Sequence, residues 1–435
     1  MDEPLSRRDF SRHAALAGLG LGVARFAPDD PPLAGSTAVD RTGGGAGSDR
    51  EAQHSVRMNQ EGRLAATEFA PQRDGVYLNH AASSPLPLRT SVALRRYLDD
   101  RQRLFHLYQT GTQDYAVPAL QAKVGQLLNV PPESVGFVPS TTEVMAMALN
   151  GIDWRPGDNV VVPANEFPGV LYPCLHLARR GVTVRQVPVE QHVDLDRVLT
   201  AIDARTRAVA ISWVHWITGH RIDIARLGAA CQGTETLSIV DAIQGVGAVP
   251  VDVSAAQVDC FVAGSYKWLM AIPGTAAFYA SPRFIAQVTP DRVGHAGMKT
   301  SVYDAPHIDW LPGAARYQVG GTINAALIGL EHSIDLLMEV GIPRVQAHTN
   351  ALVDFLHRGS DAAGLRFNSD LTPTHRAAFV NVTTGDSERD ERLVKTLVSQ
   401  KVIVGRRGPG IRVAPHLHNS VADMERFLAI VRQTT

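Results

Sequence analysis

The amino-acid sequence predicts an α/β protein, with a mostly parallel central sheet in a large domain and a small α+β domain at the C-terminus. After a helix around Val117 to Leu128, apolar segments of strand length alternate with segments of helix length: SVGFV, NVVVPA, VTVRQVPV, AVAISWV, LSIVDA, DCFVAG and TAAFYA. This alternation is typical of a parallel sheet that is covered on both faces. From about Met338 the order becomes helix, strand, helix, two strands and helix, which indicates a smaller second unit.

The N-terminal segment resembles a twin-arginine export signal. Arg7 and Arg8 precede Phe10, and an apolar run of small residues follows from Ala14 to Ala24. That run is too short to span a bilayer, but its length suits the apolar core of a signal peptide. We therefore expect export from the cytoplasm, to the periplasm or another extracytoplasmic compartment, with no stable membrane span. A disordered leader on a cytoplasmic protein is the alternative.

The predicted organisation has three parts. Residues 28–57 are rich in proline, glycine, serine and charge, and such a composition cannot bury enough apolar surface to order the chain. We therefore assign residues 1–57 to the export signal and a disordered linker. The large domain is expected over residues 58–337 and the small domain over residues 338–435.

Composition narrows the classes of partner. The formal net charge is -1, which lacks the basic excess of a nucleic-acid-binding protein. Cys174, Cys231 and Cys260 are far apart, without a CxxC pair or a histidine-rich spacing that suits zinc, so we predict core cysteines and no metal site. A small molecule or a second copy of the chain is the expected partner.

The first motif lies directly after SVGFV, in PSTTEVMAMAL. Ser140 and Glu143 have the spacing of a capping box that opens a helix. The free backbone N–H groups of such a helix start, with the hydroxyls of Thr141 and Thr142, would make an anion site suited to phosphate. Taken alone, this motif is better explained by an ordinary helix cap.

The second and third motifs follow the strands LSIVD and DCFVAG. Asp241 ends the first strand, with Gln244 close behind, and Ser265, Tyr266 and Lys267 follow the second. A buried carboxylate is costly unless a cation or several donors meet it, so Asp241 either caps a turn or holds a heterocyclic nitrogen protonated. If these strands are neighbours, Asp241 and Lys267 face one pocket at the carboxyl edge of the sheet.

Lys267 lies in the otherwise uncharged stretch AGSYKWLMAIPG. A lysine amine that attacks a carbonyl must first lose its proton, and a pKa of about 10.4 prevents this at neutral pH. An apolar pocket, or capture of the amine as an imine, removes the ammonium. A helix start suited to phosphate, a strand-end aspartate and a lysine after Ser-Tyr together predict pyridoxal phosphate (PLP): phosphate on the helix, ring nitrogen on Asp241 and aldehyde on Lys267.

From about Gly75 to its C-terminus the chain resembles the class V aminotransferase family of fold-type I PLP enzymes. This group contains cysteine desulfurases, selenocysteine lyases, kynureninase and isopenicillin N epimerase-like proteins. The resemblance is carried, in family order, by VYLNHAASSPLP, PSTTE, NEFPGVLYP, VDAIQGVGAVPVDV, AGSYKWL, VGGTIN and IRVAPHLHN. The resemblance implies a fold-type I PLP-dependent transferase fold and a homodimer.

The resemblance assigns roles to individual residues. Lys267 would carry the cofactor and move the substrate's α-proton, Asp241 would pair with the pyridinium, and Gln244 would bond the phenolic oxygen of the ring. The expected cofactor contacts are Thr141, Thr142, Phe167, Asp241, Gln244, Ser265, Tyr266 and Lys267, together with Gly321 and Thr322, which would reach the phosphate of the neighbouring subunit.

The resemblance also implies which residues contact the substrate. Arg412 in GIRVAPHLHN matches the arginine that receives the substrate's α-carboxylate, a task that suits the planar guanidinium. Asn79, His80 and Ala81 match the loop that lines the substrate side. His215 in WVHWITG is a candidate acid-base residue, and a packed histidine between tryptophans is the alternative.

Two departures from the family pattern limit the chemistry. Phe167 stands where many relatives have a histidine over the ring, and a phenyl can stack but cannot transfer a proton. Desulfurases carry a catalytic cysteine shortly before the carboxylate-binding arginine, whereas this chain has VIVGRRGPGIR and no cysteine after Cys260. Persulfide formation by that route is not expected, because it needs a thiolate nucleophile.

The resemblance therefore implies a PLP-dependent enzyme that acts on an amino acid through an external aldimine. The leading expectation is the epimerase or C–S/C–Se lyase branch of the class V group, and an aminotransferase is the alternative. A PLP-scaffold protein that binds amino acids without catalysis is a further alternative from another class. The presence of Lys267, Asp241 and Arg412 argues against such an idle protein.

Overall fold

The structure is a computed structural model that describes residues 58–60, 62–69, 75–103, 117–299, 307–321 and 323–434. The predicted export signal and linker, residues 1–57, lie outside the described residues. Within the described ranges, none of the helices has both the length and the apolar character needed to cross a membrane.

The strands and helices alternate along most of the chain. The strands are β1 (Val76–Tyr77), β2 (Val135–Val138), β3 (Asn159–Pro163), β4 (Thr183–Val187), β5 (Thr206–Ser212), β6 (Leu237–Asp241), β7 (Cys260–Gly264), β8 (Ala276–Ala280), β9 (Arg366–Phe367), β10 (Val380–Thr383), β11 (Val402–Ile403), β12 (Gly405–Arg407) and β13 (Gly410–Val413). The helices are α1 (Leu88–Gln102), α2 (Val117–Leu128), α3 (Thr141–Gly151), α4 (Pro168–His176), α5 (Leu195–Thr200), α6 (Ile224–Cys231), α7 (Val253–Ala256), α8 (Pro282–Gln287), α9 (Asn324–Val340), α10 (Ile342–Ser360), α11 (Ser387–Ser399) and α12 (Val421–Thr434).

A seven-stranded sheet forms the centre of the protein, in the order β2-β8-β7-β6-β5-β3-β4. β8 pairs antiparallel with both β2 and β7, and the other pairings are parallel. The predicted α/β class and mostly parallel sheet are confirmed. The seven strands are the seven apolar segments that the sequence analysis identifies.

Both faces of this sheet are buried, because successive side chains of a strand point to opposite faces. Val161, Val209, Ile211, Val240 and Phe261 belong to one core cluster, and Val160, Ala210, Ile239, Cys260 and Val262 belong to the other. All three cysteines are free and buried, as predicted for core residues. Truncating a fully buried aromatic side chain such as Phe261 to alanine is expected to cost about 3–5 kcal/mol.

Several helices begin at a side chain that accepts a backbone hydrogen bond from the first turn. The N-cap residues of this kind are Ser140, Asp194, Asp223, Asp252, Ser281 and Asp386. Each cap satisfies a backbone N–H that has no partner within its helix. These short polar residues therefore fix where the chain leaves the sheet and turns into a helix.

The C-terminal part contains a four-stranded antiparallel sheet in the order β12-β13-β10-β9, with α11 and α12 packed near it. The N-terminal strand β1 pairs in parallel with β11, and Arg63 forms an ion pair of 2.7 Å with Asp423. The described N-terminal residues thus pack on the C-terminal part of the chain. The domain boundaries drawn at residues 57 and 337 remain predictions.

Candidate functional site

The site is built where β6 and β7 end. These strands are parallel neighbours, with Asp241 opposite Val262. Asp241 and Lys267 therefore leave the sheet at the same edge, as expected from the sequence for one shared pocket. Asp241 is the last residue of β6 and is 3% exposed, while Lys267 follows β7 and is 7% exposed. One carboxylate oxygen of Asp241 accepts a hydrogen bond from the Ile243 backbone N–H at 2.9 Å. Within the described ranges neither side chain forms an ion pair, so the carboxylate is open to a cationic partner.

Burial shifts the pKa of Asp241 and the pKa of Lys267 in the directions that disfavour their charged forms. Burial raises the pKa of Asp241 to about 6, and the nearby Lys267 opposes that rise. Burial lowers the pKa of Lys267 to about 8, Asp241 opposes this change, and Arg412 and Arg407 reinforce it. The lysine amine is therefore much closer to its neutral, nucleophilic form at physiological pH than an exposed lysine.

Glu166 is a second buried carboxyl group that the sequence analysis did not select. One of its oxygens accepts from the Ser212 backbone N–H at 2.6 Å, and the other accepts from the Ser212 hydroxyl at 2.6 Å and the Phe167 N–H at 3.1 Å. Burial raises the pKa of Glu166 to about 7; the hydrogen bonds from Ser212 and Phe167 oppose this rise, and the charge of Asp241 contributes to it. A cation beside Asp241 would lower the electrostatic cost of both carboxylates.

The predicted phosphate site lies at the start of α3. Ser140 is the N-cap and accepts a hydrogen bond from the Glu143 N–H at 3.2 Å. The Glu143 carboxylate pairs with Arg292 at 2.5 Å, so the reciprocal half of the capping box is not formed. Thr141 is buried and Thr142 is exposed at the first turn, where backbone N–H groups favour an anion.

Two aromatic rings lie near the Lys267 amine. Its Nζ atom lies 5.7 Å from the ring centroid of Phe167 and 5.9 Å from that of Tyr266. Phe167 is 38% exposed and packs edge-on against Trp216, with centroids 5.6 Å apart. These rings offer stacking surface for a heterocycle and no proton-transfer group on the Phe167 side.

Gln244 and Ser265 are fixed by contacts with the protein itself. The Gln244 amide oxygen accepts from Trp268 Nε1 at 3.0 Å, and its nitrogen donates to the Ala81 carbonyl at 3.0 Å, which leaves one N–H for a ring oxygen. The fully buried Ser265 hydroxyl donates to the Ile272 carbonyl at 2.6 Å. It would have to release Ile272 before donating to a phosphate, so its predicted contact remains a prediction.

Arg412 supplies a buried cation on β13. It is 2% exposed, Nη1 donates to the Trp216 carbonyl at 2.8 Å, and Nε has no hydrogen-bond partner among the described residues. Burial, reinforced by the charge of Arg407, lowers the pKa of Arg412 to about 9. A bound anion would offset the cost of burying this guanidinium and would accept hydrogen bonds from its unused donors. This fits the predicted role of Arg412 in binding a substrate carboxylate.

The loop of Asn79, His80 and Ala81 lies beside these groups. Asn79 forms a β-bridge with Ala414, next to the strand that carries Arg412. His80 is completely buried, contacts the Ser84 hydroxyl at 2.9 Å and packs edge-on against His416 and His418. The Ala81 carbonyl holds the Gln244 side chain.

Among the described residues, neither His215 nor Gly321 forms a direct contact with Asp241, Lys267 or Arg412. The His215 ring bonds to the Thr218 hydroxyl at 3.0 Å, and burial lowers its pKa to about 4, which suits the packed-histidine alternative. Gly321 is exposed and lines a cavity of about 110 Å³ with Gly274 and Thr275. Thr322 lies outside the described residues.

The observed groups fit PLP. Asp241 is a buried carboxylate without a cation, Lys267 is a buried amine with a lowered pKa, and a helix start with two threonines lies among the same strand ends. These are the partners that a pyridinium, an aldehyde and a phosphate need. The fold and the site thus define a PLP-dependent α/β enzyme.

Comparison with known proteins identifies the family: the model for aminotransferase class-V matches residues 76–430, and the chain belongs to this family of PLP-dependent enzymes. A probable cysteine desulfurase of Methanothermobacter thermautotrophicus is 26% identical over 378 residues, which are 81% of this chain and 93% of that protein. The uncharacterized aminotransferase YcbU of Bacillus subtilis is 26% identical over 308 residues, covering 70% and 80% of the two chains.

Solved structures share the fold at lower identity. The cystine C–S lyase C-DES, in complex with its reaction product cysteine persulfide, superposes with a TM-score of 0.75 at 22% identity, covering 83% of this chain and 98% of that chain. The apo cysteine desulfurase of Thermococcus onnurineus gives a TM-score of 0.74 at 21% identity, covering 83% and 94%. The fold-type I architecture expected from the sequence is confirmed.

Proposed function

We propose that this protein is a lyase that removes a sulfur or selenium substituent from the β-carbon of an α-amino acid without using an enzyme thiol. The observation that carries this proposal is the buried Lys267 amine, which shares a sheet edge with Asp241 in a chain whose cysteines all lie in the core. The relatives named cysteine desulfurase and cystine C–S lyase support a sulfur amino acid as substrate.

PLP, Arg412 and Lys267 would each have a different role in the reaction. PLP, when bound, withdraws electrons from the substrate's α-carbon and so acidifies the α-proton. Arg412 binds the substrate carboxylate, and its unused donors favour a two-point contact. Lys267 Nζ accepts the α-proton. Loss of the Cβ–S or Cβ–Se electron pair to the departing group would give a thiolate or selenolate, which takes up the proton held by Lys267, and water would hydrolyse the remaining enamine to pyruvate and ammonia.

The surroundings of Lys267 favour elimination over epimerisation and over persulfide formation. Epimerisation requires a second proton-transfer group on the face opposite the base, whereas Phe167, whose ring centroid lies 5.7 Å from Lys267 Nζ, is a phenyl ring that cannot transfer a proton. Burial raises the pKa of Cys231 to about 12 and raises the pKa of Cys174 and Cys260 as well, so none of these thiols supplies a thiolate. Elimination needs only one base.

The test is a substrate panel followed by four readouts at once. L-cystine, L-cysteine, an S-alkyl-L-cysteine and L-selenocystine are compared with L-alanine, while pyruvate, ammonia, released thiol or selenol, and optical rotation are measured. The proposal expects equal amounts of pyruvate and ammonia from a β-substituted substrate, and neither product from alanine. Keto acid that forms only with an added amino acceptor would identify an aminotransferase. Loss of optical rotation alone would identify an epimerase, and binding without products would identify an idle scaffold.

We also propose a homodimer in which the segment that contains Gly321 and Thr322 reaches the partner's site. The exposure of Gly321 in the single chain supports this arrangement. Light scattering on the purified holoprotein should give twice the chain mass. A monomer with full lyase activity would contradict the proposal.

A further inference from the structure

We propose that His220, Asp370 and His375 bind one divalent transition-metal ion of the Zn²⁺ class, at a position outside the PLP site. Each residue offers one ligand atom, and the three atoms lie within 4.8 Å of one another. Across the described ranges, no other group of three His, Cys, Asp or Glu side chains has this arrangement. Two imidazoles and a carboxylate form a donor set that suits Zn²⁺, Co²⁺ and Ni²⁺.

The environment of His220 supplies the strongest support. Its ring is 7% exposed, and the buried Nδ1 atom has no hydrogen-bond partner among the described residues. Asp370 Oδ2 lies 3.8 Å from this nitrogen, which is too far for a hydrogen bond. A buried polar atom without a partner is unfavourable, and an ion between these two atoms would satisfy both.

His375 and Asp370 each use one side-chain atom in a hydrogen bond within the protein, and the other ligand atom of each remains available for the ion. His375 Nδ1 lies 3.1 Å from the Arg221 carbonyl, which can only accept, so Nδ1 carries the proton and Nε2 presents a lone pair. Asp370 Oδ1 accepts from the Thr372 N–H at 2.8 Å, which leaves Oδ2 for the ion. Carbonyl and amide partners of this kind commonly orient metal ligands.

The neighbouring side chains allow a cation. His192 also stacks on His220, with centroids 4.8 Å apart, and its buried Nδ1 has no partner among the described residues, although it does not belong to the group of three ligand atoms. Two arginines flank the cluster. The Arg376 guanidinium pairs with Asp354 at 2.5 Å, and the Arg221 guanidinium donates to the Thr374 carbonyl at 3.0 Å.

Binding requires a local adjustment of the rings. Those of His220 and His375 are nearly parallel, with an interplanar angle of 10° and centroids 4.9 Å apart. Zn–N distances of about 2.0–2.1 Å place the ligand atoms of a tetrahedral site roughly 3.4 Å apart. The rings must therefore tilt towards each other as the ion binds.

The ion would join two separate parts of the fold. His220 lies in the turn after β5, whereas Asp370 and His375 lie between β9 and β10. The same turn carries Trp216, whose carbonyl accepts a hydrogen bond from Arg412. Metal binding would thus tie the turn that touches the carboxylate-binding arginine to the C-terminal sheet.

The test measures metal binding rather than activity, on the untagged, full-length holoprotein. Equilibrium dialysis against Zn²⁺ and titration with Co²⁺, followed by its d–d absorption, are performed on the wild type, His375→Gln, Asp370→Asn and the control His176→Gln. His176 is an exposed residue at the end of α4, far along the chain from the cluster. The PLP absorbance and the circular dichroism of each variant verify that it is folded.

The proposal expects one tightly bound ion per chain in the wild type and in His176→Gln, and at least tenfold weaker binding in His375→Gln and Asp370→Asn. Zn²⁺ should also raise the melting temperature of the wild type by a few degrees and leave that of His375→Gln unchanged, because an ion that binds only the folded state stabilises it. Equal metal binding by all four proteins, or no binding by the wild type, would overturn the proposal.

Discussion

Replacement of Asp241 with asparagine is expected to shift the pH profile of cofactor attachment to lower pH. The neutral amine of Lys267 attacks the aldehyde, so the attachment rate follows the fraction of lysine without its proton. Burial lowers the pKa of Lys267 from 10.5 to about 8. At pH 7.5 roughly a quarter of the amine is then neutral, compared with about one part in a thousand at the unperturbed pKa. The gain in reactive amine is therefore roughly two hundredfold.

The sign of the shift follows from the charges. Asp241 stabilises the ammonium form and raises the pKa of Lys267, whereas burial and Arg412 lower it. Loss of the carboxylate removes the stabilising charge, so the pKa of Lys267 must fall below its wild-type value. The attachment rate of the variant should reach its plateau at a lower pH. Its final PLP affinity should also be weaker, because the pyridinium loses its counter-ion.

The assay mixes the apoprotein with PLP and follows the visible absorbance change by stopped flow between pH 6 and pH 10. The wild type should show a half-maximal rate near pH 8, and the surface control Asp223→Asn should match it. A wild-type rate that still rises in proportion to hydroxide at pH 10 would refute the lowered lysine pKa. A midpoint that moves upward in Asp241→Asn would refute the charge assignment.

Three further predictions concern the substrate, the helix start and the N-terminus. Arg412→Lys should raise KM for the amino acid by about 10- to 100-fold with a smaller effect on kcat, since a charged hydrogen bond worth about 1.5–3 kcal/mol is lost; a change in kcat alone would contradict carboxylate binding. Ser140→Ala should lower the free energy of unfolding by about 1 kcal/mol and weaken PLP binding, whereas Asp386→Ala, at a cap in the C-terminal part, should lower stability alone; denaturant titration and PLP titration separate the two outcomes. Changing both Arg7 and Arg8 to lysine should retain the protein in the cytoplasm, and unchanged cell fractionation would rule out twin-arginine export.

The central sheet is readable from the sequence because its strands are buried on both faces. An apolar run such as NVVVP has few alternatives to a buried strand, and the order of such runs fixes the class of fold. The short strands β9 and β12 carry exposed or half-exposed arginines and give no comparable signal. The pairing of β1 with β11 joins distant parts of the chain, which local patterns do not record.

The residues of the candidate site also differ in how well the sequence alone predicts them. Asp241 ends β6 and Lys267 follows β7, the neighbouring strand of the same sheet, so topology brings them together and the sequence order predicts their proximity. Glu166 and the cluster around His220 depend on tertiary contacts between segments far apart in the chain. For Glu166 the available signal was its place directly before Phe167, after a buried strand.

Lys267 is assigned as the residue that carries the cofactor, and reduction of the holoprotein with borohydride can verify this assignment. Proteolysis and mass spectrometry then locate the covalently bound pyridoxyl group. We expect one modified residue, Lys267, with the visible absorbance lost on reduction. A pyridoxyl group on another lysine, or an unmodified Lys267 in protein that has lost its visible absorbance, would contradict it.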